Sequence, residues 1–304
     1  MGYLLVAPPI FVLTPLAGLL LLSHPATRRE WVWLGAALLW TLLGLTAPAG
    51  LADDVVRAWA VLLTGAFLAT TLWRPRPLFT RALIAVAVAV AATAVWSVWL
   101  GLDWGAVELA VAHQTREALR LAQENLGGAP GIPDSGGTLF QLVQVASDGA
   151  GPMSTLFPAL LGLLALAGLA LAWEWYGRIT QHPLPPAAGR FRDFVFSDQL
   201  VWGLVVALAL VLARALPLPG GGRLPPEALD TGAWLGANLL LFLGALYALR
   251  GVAVLAARLD KMSGFLWLAL AFGALFVLPI VVLGLGSLGL ADTWVHFRRR
   301  LTAP

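Results

Sequence analysis

Residues 238–261 read NLLLFLGALYALRGVAVLAARLDK, an apolar run with one amide, Asn238, at its start and one guanidinium, Arg250, well inside it. A bilayer core is crossed by about 20 consecutive apolar residues in a helix. A charge near the bilayer centre costs about 2.5–3.5 kcal/mol on insertion scales, so it is normally paired or turned to a cavity. This stretch therefore sets the fold class, and Arg250 is the residue in it that needs an explanation.

The composition agrees. Of 304 residues 60% are hydrophobic and 12% charged, with a mean hydropathy of +0.84. A soluble globular domain carries roughly 25% charged residues, and a soluble chain this apolar would expose more apolar surface than water tolerates. Eight apolar segments follow the same reading: Gly2–Ser23, Trp31–Thr46, Val55–Trp73, Thr80–Leu100, Met153–Trp175, Leu200–Leu216, Thr231–Arg250 and Ser263–Leu288. The expected fold is an all-α, polytopic transmembrane helical bundle of eight or nine spans, a single integral membrane domain over residues 1–304. Met1 to Ser23 lacks a basic leader and carries Pro8, Pro9 and Pro15, so no cleavable signal peptide is expected.

Loop charge orients the spans. Arg28 and Arg29, then Arg74, Arg76 and Arg81, then Arg178, Arg190 and Arg192, then Arg258 and Lys261 fall in the odd loops. The even loops carry Asp53 and Asp54, the Asp103–Asp148 stretch, and Glu227 with Asp230. Odd loops are expected in the cytoplasm and the N-terminus outside. Eight spans would then leave the basic tail, residues 291–304 with Arg298–Arg300, outside. The favoured resolution breaks Ser263–Leu288 at Pro279 and the glycines Gly284, Gly286 and Gly289, with a second helix carrying Asp292 back inward. The other is one exception to the charge rule.

The main extracytoplasmic loop, Leu102–Pro152, begins LDWGAVELAVAHQTREALRLAQENL. Trp104, Val107, Val111, Ala118, Ala122 and Leu126 fall at helical spacing, opposite Asp103, Glu117, Arg120 and Glu124. That pattern predicts an amphipathic helix on the outer leaflet or capping the bundle. A second short interfacial helix is expected over Thr138–Ala146.

Motifs for catalysis are missing. Cysteine is absent, and there is no phosphate-binding glycine loop, HExxH or glycine-flanked nucleophilic serine. His24, His113, His182 and His296 fall in four different segments, without metal-ligand spacing. No enzymatic activity, metal or cofactor is expected, and the scattered basic residues exclude nucleic acid as a partner.

Polar residues inside the apolar segments are the remaining candidates. Arg250 has three readings: snorkelling to the cytoplasmic end of its helix, pairing with Asp292 of LGLADTWVHFRRR, or touching a ligand. Asn238 suits an interhelical hydrogen bond, or else a ligand contact. Glu174 in WEWYGR pairs with Arg178 four residues on, and Trp173, Trp175 and Tyr176 read as an aromatic belt. In RFRDFVFSDQLVW, residues 190–202, Asp198 is expected to cap the following helix. Phe191, Arg192, Phe194 and Phe196 form either a headgroup anchor or a surface for a membrane or cytoplasmic partner. Gly232, Gly236, Gly244 and Gly251 would let helices approach closely.

The order FPALLGLLALAGLALAWEWYGR, FRDFVFSDQLVWGLV, NLLLFLGALYALRGVAVLAARL and LGLADTWVHFRRR resembles the YybS-like family of bacterial membrane proteins, a domain of unknown function. That resemblance implies a multi-pass protein of the bacterial inner membrane. It also implies distant similarity in fold to the substrate-binding components of energy-coupling-factor transporters and to the cell-shape protein MreD. Two roles follow from it: a small-molecule binding, transport-associated component, or a non-enzymatic scaffold. The partners so implied are the lipid bilayer, a small-molecule ligand, and a membrane or cytoplasmic protein.

Overall fold

The computed structural model describes residues 9–48, 50–73, 76–101, 104–127, 150–184, 191, 194, 196–215, 225–258 and 278–295. The described residues are helical, with no strand among them. In chain order the helices are α1 (Pro9–Leu22), α2 (Arg28–Thr46), α3 (Leu51–Trp73), α4 (Leu78–Leu100), α5 (Trp104–Gly127), α6 (Ala150–Thr155), α7 (Phe157–Ile179), α8 (Leu200–Ala215), α9 (Pro226–Arg258) and α10 (Leu278–Val295). Four of these, α3, α4, α7 and α9, are long and apolar enough to cross a membrane. Shorter apolar helices accompany them: α1, α8 and Ile280–Val295 within α10. The expected Thr138–Ala146 helix lies outside the described residues. The chain forms two compact units, Met1–Ala187 and Ala188–Pro304.

In the first unit the short α1, apolar but for Thr14, lies at the centre, packed against α2, α3 and α7. Phe11, Val12, Leu16, Leu19 and Leu20 are completely buried. Pro15 sits inside α1, so the Phe11 carbonyl one turn earlier loses its helical donor. Gly168 of α7 covers that carbonyl: a methyl group on Gly168 would lie 2.7 Å from the Phe11 oxygen.

The faces of α3 and α4 repeat at helical spacing. Trp59, Ala60, Leu63, Thr64 and Phe67 are buried on α3, and Arg81, Ala82, Ala85, Val86 and Ala89 on α4. The alanines let the two helices close on each other, and Gly101, at φ 60°, ends α4 as a left-handed cap. The C-terminal end of α4 leaves Val95, Val98 and Trp99 exposed, the last at 83%, as a lipid-facing surface does. Arg81 is thus no loop charge: it lies in the first turns of α4, fully buried. Trp173 and Tyr176 are not a surface belt either. Both are buried, Trp173 edge-on to Phe67, with the Tyr176 hydroxyl accepting from the Leu184 N–H at 3.1 Å.

Helix α5 follows α4. Val107 and Ala112 are buried, Trp104 and Val111 are half-buried, and Glu117, Arg120 and Glu124 are exposed. Ala118, expected on the apolar side, is exposed. Asp103 and the side chains of Ala122 and Leu126 lie outside the described set.

Glu30 ties this unit together ahead of the apolar run that begins at Trp31. It closes a capping box with Thr27, accepting from the Thr27 N–H at 2.9 Å and the Ala26 N–H at 2.7 Å, while its second oxygen accepts from the Gln181 N–H at 2.9 Å. The Thr27 and Gln181 amides, opposed by burial, hold its carboxyl down at about 2, against an ordinary 4.5. A carboxylate depressed in the folded state stabilises it above its ordinary range, and the contribution disappears as pH falls toward the folded value. Glu30→Gln should therefore lower the apparent melting temperature at pH 7. The gap to the parent should narrow between pH 4.5 and 2 in detergent-solubilised protein; a gap independent of pH would contradict this role.

In the second unit α9 packs against α8 and α10. It runs 33 residues to Arg258, about 50 Å by helical rise and more than a 30 Å core requires. Gly236 meets the backbone of α8, a methyl there lying 2.7 Å from the Ala207 carbonyl oxygen. Gly232 is looser, at 3.7 Å from Leu210, and Gly244 has nothing within 4 Å among the described residues, so it is not a contact glycine there. Helix α10 starts at Leu278 with Pro279 in its first turn and carries Asp292, as the second helix of the expected broken segment would; residues 259–277 ahead of it lie outside the described residues. The glycines do not break it, for the helix runs through Gly284, Gly286 and Gly289. Two glycines of the pair serve close approach: Gly251 of α9 faces the Leu285 carbonyl and Gly289 of α10 faces the Tyr247 carbonyl.

Candidate functional site

That backbone-to-backbone meeting of α9 and α10 sets the polar centre of the second unit. Arg250 precedes Gly251, and Asp292 lies three residues, one helical turn, beyond Gly289, so both project into the seam. Arg250 Nε donates to Asp292 Oδ2 at 3.0 Å, and Nη1 donates to Asp198 Oδ1, also at 3.0 Å. The Arg250 and Asp292 side chains are each 3% exposed, and that of Asp198 is 51% exposed. A guanidinium so buried and so engaged does not snorkel. Charge-assisted bonds of this kind are about twice as strong as neutral ones, and here they join α9, α10 and the segment ahead of α8.

Asp198, expected as a helix cap, directs its carboxylate at Arg250, and the Gln199 N–H meets the Ser197 hydroxyl at 3.4 Å. Asn238 is not part of the cluster. It lies twelve residues before Arg250, about 18 Å along the axis, and its amide donates to the Trp234 carbonyl at 3.0 Å within α9.

The phenylalanines form a ladder leading inward. Phe191 stacks on Phe194 with centroids 6.0 Å apart, Phe194 meets Phe196 at 5.9 Å, and Phe196 meets Tyr247 edge-on at 5.1 Å. The Arg250 guanidinium lies 5.3 Å from the Phe196 ring centre. Phe196 is buried and Phe191 exposed. Phe196 therefore belongs to the interior and not to an exposed surface, because its ring is taken up by Tyr247 and Arg250. Arg192 lies outside the described residues. Glu174 and Arg178 make the expected local pair, at 2.7 Å.

Two cavities in the first unit involve residues that sequence reading passed over. A groove of about 570 Å³ is lined by Leu45 of α2, Asp54, Arg57, Val61 and Leu62 of α3, and Trp96 of α4. Arg57 sits at its polar end, 3.6 Å from Asp54 and 3.4 Å from the Leu45 carbonyl. An arginine on the third residue of an apolar run was the available signal. The second cavity, about 230 Å³, is lined by Thr70, Trp73, Arg76, Arg81 and Ile84. Among the described residues no group of three His, Asp or Glu side chains is placed to hold a metal.

Residues 3–293 match the profile of a family described as a predicted membrane protein, DUF2232. The chain belongs to that family. Neither a curated protein nor a solved structure matches it. The match runs almost the full length of this DUF2232 chain, taking in both units and all three members of the Arg250 cluster. Its membrane character rests on that membership together with the four long apolar helices.

Proposed function

We propose that this DUF2232 protein is a small-molecule binding, transport-associated component of the bacterial inner membrane. Its ligand would be a small amphiphile held in the groove between α2, α3 and α4. The groove carries the reading: apolar walls from Leu45, Val61, Leu62 and Trp96 with one ionic end at Asp54 and Arg57 form the lining expected of a ligand site. In this reading the bundle has eight or nine spans with its N-terminus outside. Helix α5 lies in the outer interface as an amphipathic lid, held to the start of α3 by the Gln114 amide donating to Asp53 at 2.9 Å. Likeness to the substrate-binding subunits of energy-coupling-factor transporters, suggested by the C-terminal motifs, points the same way and implies a separate energising module. Fold analogy alone is a weak warrant for function, so the groove decides.

Native mass spectrometry of protein released from mild detergent tests it. The parent should retain a small molecule. Arg57→Gln, which removes the ionic end, and Val61→Trp, which fills the groove, should each lower retention by about tenfold, equivalent to about 1.4 kcal/mol. A parent free of any small molecule, co-purifying with one protein at fixed stoichiometry, would replace this reading with the scaffold role. The exposed face of α2, with Trp31, Trp33, Trp40 and Leu43 outward, supplies an apolar surface for such a partner.

A further inference from the structure

Arg81 is the least compensated charge in the described part of the protein. Its side chain is completely buried, and Nε, Nη1 and Nη2 have no hydrogen-bond acceptor among the described residues. Among the described residues, its guanidinium meets the Trp173 ring, whose centre lies 4.2 Å from the guanidinium carbon. A cation–π contact offsets only part of the cost of taking an unpaired ion out of water. Arginine cannot shed the proton to escape this cost. The five N–H donors of a guanidinium in a dry site require acceptors, and the chain supplies none there among the described residues.

The cavity beside it shows where an acceptor fits. Arg81 lines the 230 Å³ space together with Arg76, exposed at its edge, with Trp73 and Ile84 as apolar wall and Thr70 between. None of the described residues that line it is a carboxylate. Helix α4 begins here behind Pro77, which makes no side-chain cap, and a helix start favours negative charge. The volume lies below the 300–1,000 Å³ of sites that enclose whole ligands, which suits a headgroup and not an entire metabolite.

We infer that Arg81 and Arg76 hold a phosphate-bearing anion in the cavity between the end of α3 and the start of α4, with Arg81 as its buried, Trp173-stacked anchor. Guanidinium matches phosphate oxygens through paired, parallel N–H bonds. The site is separate from the groove and does not depend on what the groove binds. Trp73, 82% exposed at the cavity edge, is the kind of residue found at a membrane–water boundary, where lipid phosphates lie. The phosphate comes either from an anionic lipid or from a free phosphorylated solute.

Thermal unfolding of the delipidated full chain in neutral detergent separates these sources. Phosphatidylglycerol, phosphatidylcholine (whose own choline covers its phosphate) and inorganic phosphate are each titrated. Stabilisation by phosphatidylglycerol but not by the other two assigns a lipid headgroup; stabilisation by inorganic phosphate assigns a free anion. Arg81→Met should weaken the effective ligand about 10–100-fold while leaving the ligand-free protein at least as stable as the parent, since it removes an uncompensated charge. Arg76→Gln, an exposed change that does not threaten folding, should weaken it by about fivefold or less. No stabilisation of the parent by phosphatidylglycerol or phosphate, or equal stabilisation of parent and both variants, would overturn the assignment.

Discussion

Arg250→Leu is expected to cost about 3–5 kcal/mol of stability, the usual penalty for removing one partner of a buried ion pair. The loss comes from what stays behind: Asp292, 3% exposed, would lose the guanidinium it accepts from in the seam between α9 and α10. Asp292→Asn should cost a similar amount by leaving Arg250 with one carboxylate, itself half in solvent. Asp198→Asn should cost no more than about 1 kcal/mol, because exposed pairs are screened. The double change Arg250→Leu with Asp292→Leu should be milder than Arg250→Leu alone, since isosteric apolar replacement of a whole buried pair is often neutral. Unfolding in detergent, followed by tryptophan fluorescence, reads all four. The pairing would lose its assigned role if Asp198→Asn and Asp292→Asn proved equally harmful, or if the double variant were the least stable.

The second large effect concerns glycines of the α9–α10 pair that differ in what they face. Gly289→Ala would set a methyl against the Tyr247 carbonyl, and Gly251→Ala would set one against the Leu285 carbonyl. Neither obstacle is a flexible side chain, so α9 and α10 must part. Overpacking costs about 1–3 kcal/mol, and here the separation also stretches the Arg250–Asp292 bond. Gly284→Ala and Gly286→Ala meet nothing within 4 Å among the described residues. They should be neutral or gain up to about 1 kcal/mol from helix propensity. Equal outcomes for all four substitutions would refute close approach as the reason for Gly251 and Gly289.

The Arg250–Asp292 contact was among the sequence alternatives because two isolated charges of opposite sign in apolar runs have few other ways to be satisfied. Asp198 was harder to read. Next to a helix start, a carboxylate is a cap by local rules, and only the tertiary fold turns it toward a residue 52 positions away. Arg81 was hidden by its neighbours: beside Arg74 and Arg76, at the edge of the expected span, it reads as one more loop charge, and only the packing of α4 shows that it is buried. The glycines of α10 misled for a physical reason. Glycine weakens a helix in water, but in lipid it is also the residue that lets two backbones touch. Trp173 and Tyr176 misled because a tryptophan–tyrosine cluster near a span end looks the same in sequence whether it faces headgroups or a neighbouring helix. The sequence reading passed over the capping box of Thr27 and Glu30, although its three-residue spacing is a local signal; the bond to Gln181, 151 residues on, has no local signal at all.

That long-range bond and the Gly168 cover over Phe11 have a bearing on biosynthesis. The opening helix leaves the ribosome with a carbonyl that Pro15 has stripped of its donor, and the group that shields it belongs to a helix made far later. At about 5–20 residues per second, α1 spends roughly 8–30 seconds in the translocon or nearby lipid before α7 arrives. The amino-terminal half thus matures from its last-made piece backward, and its earliest segment is the one that must be kept waiting.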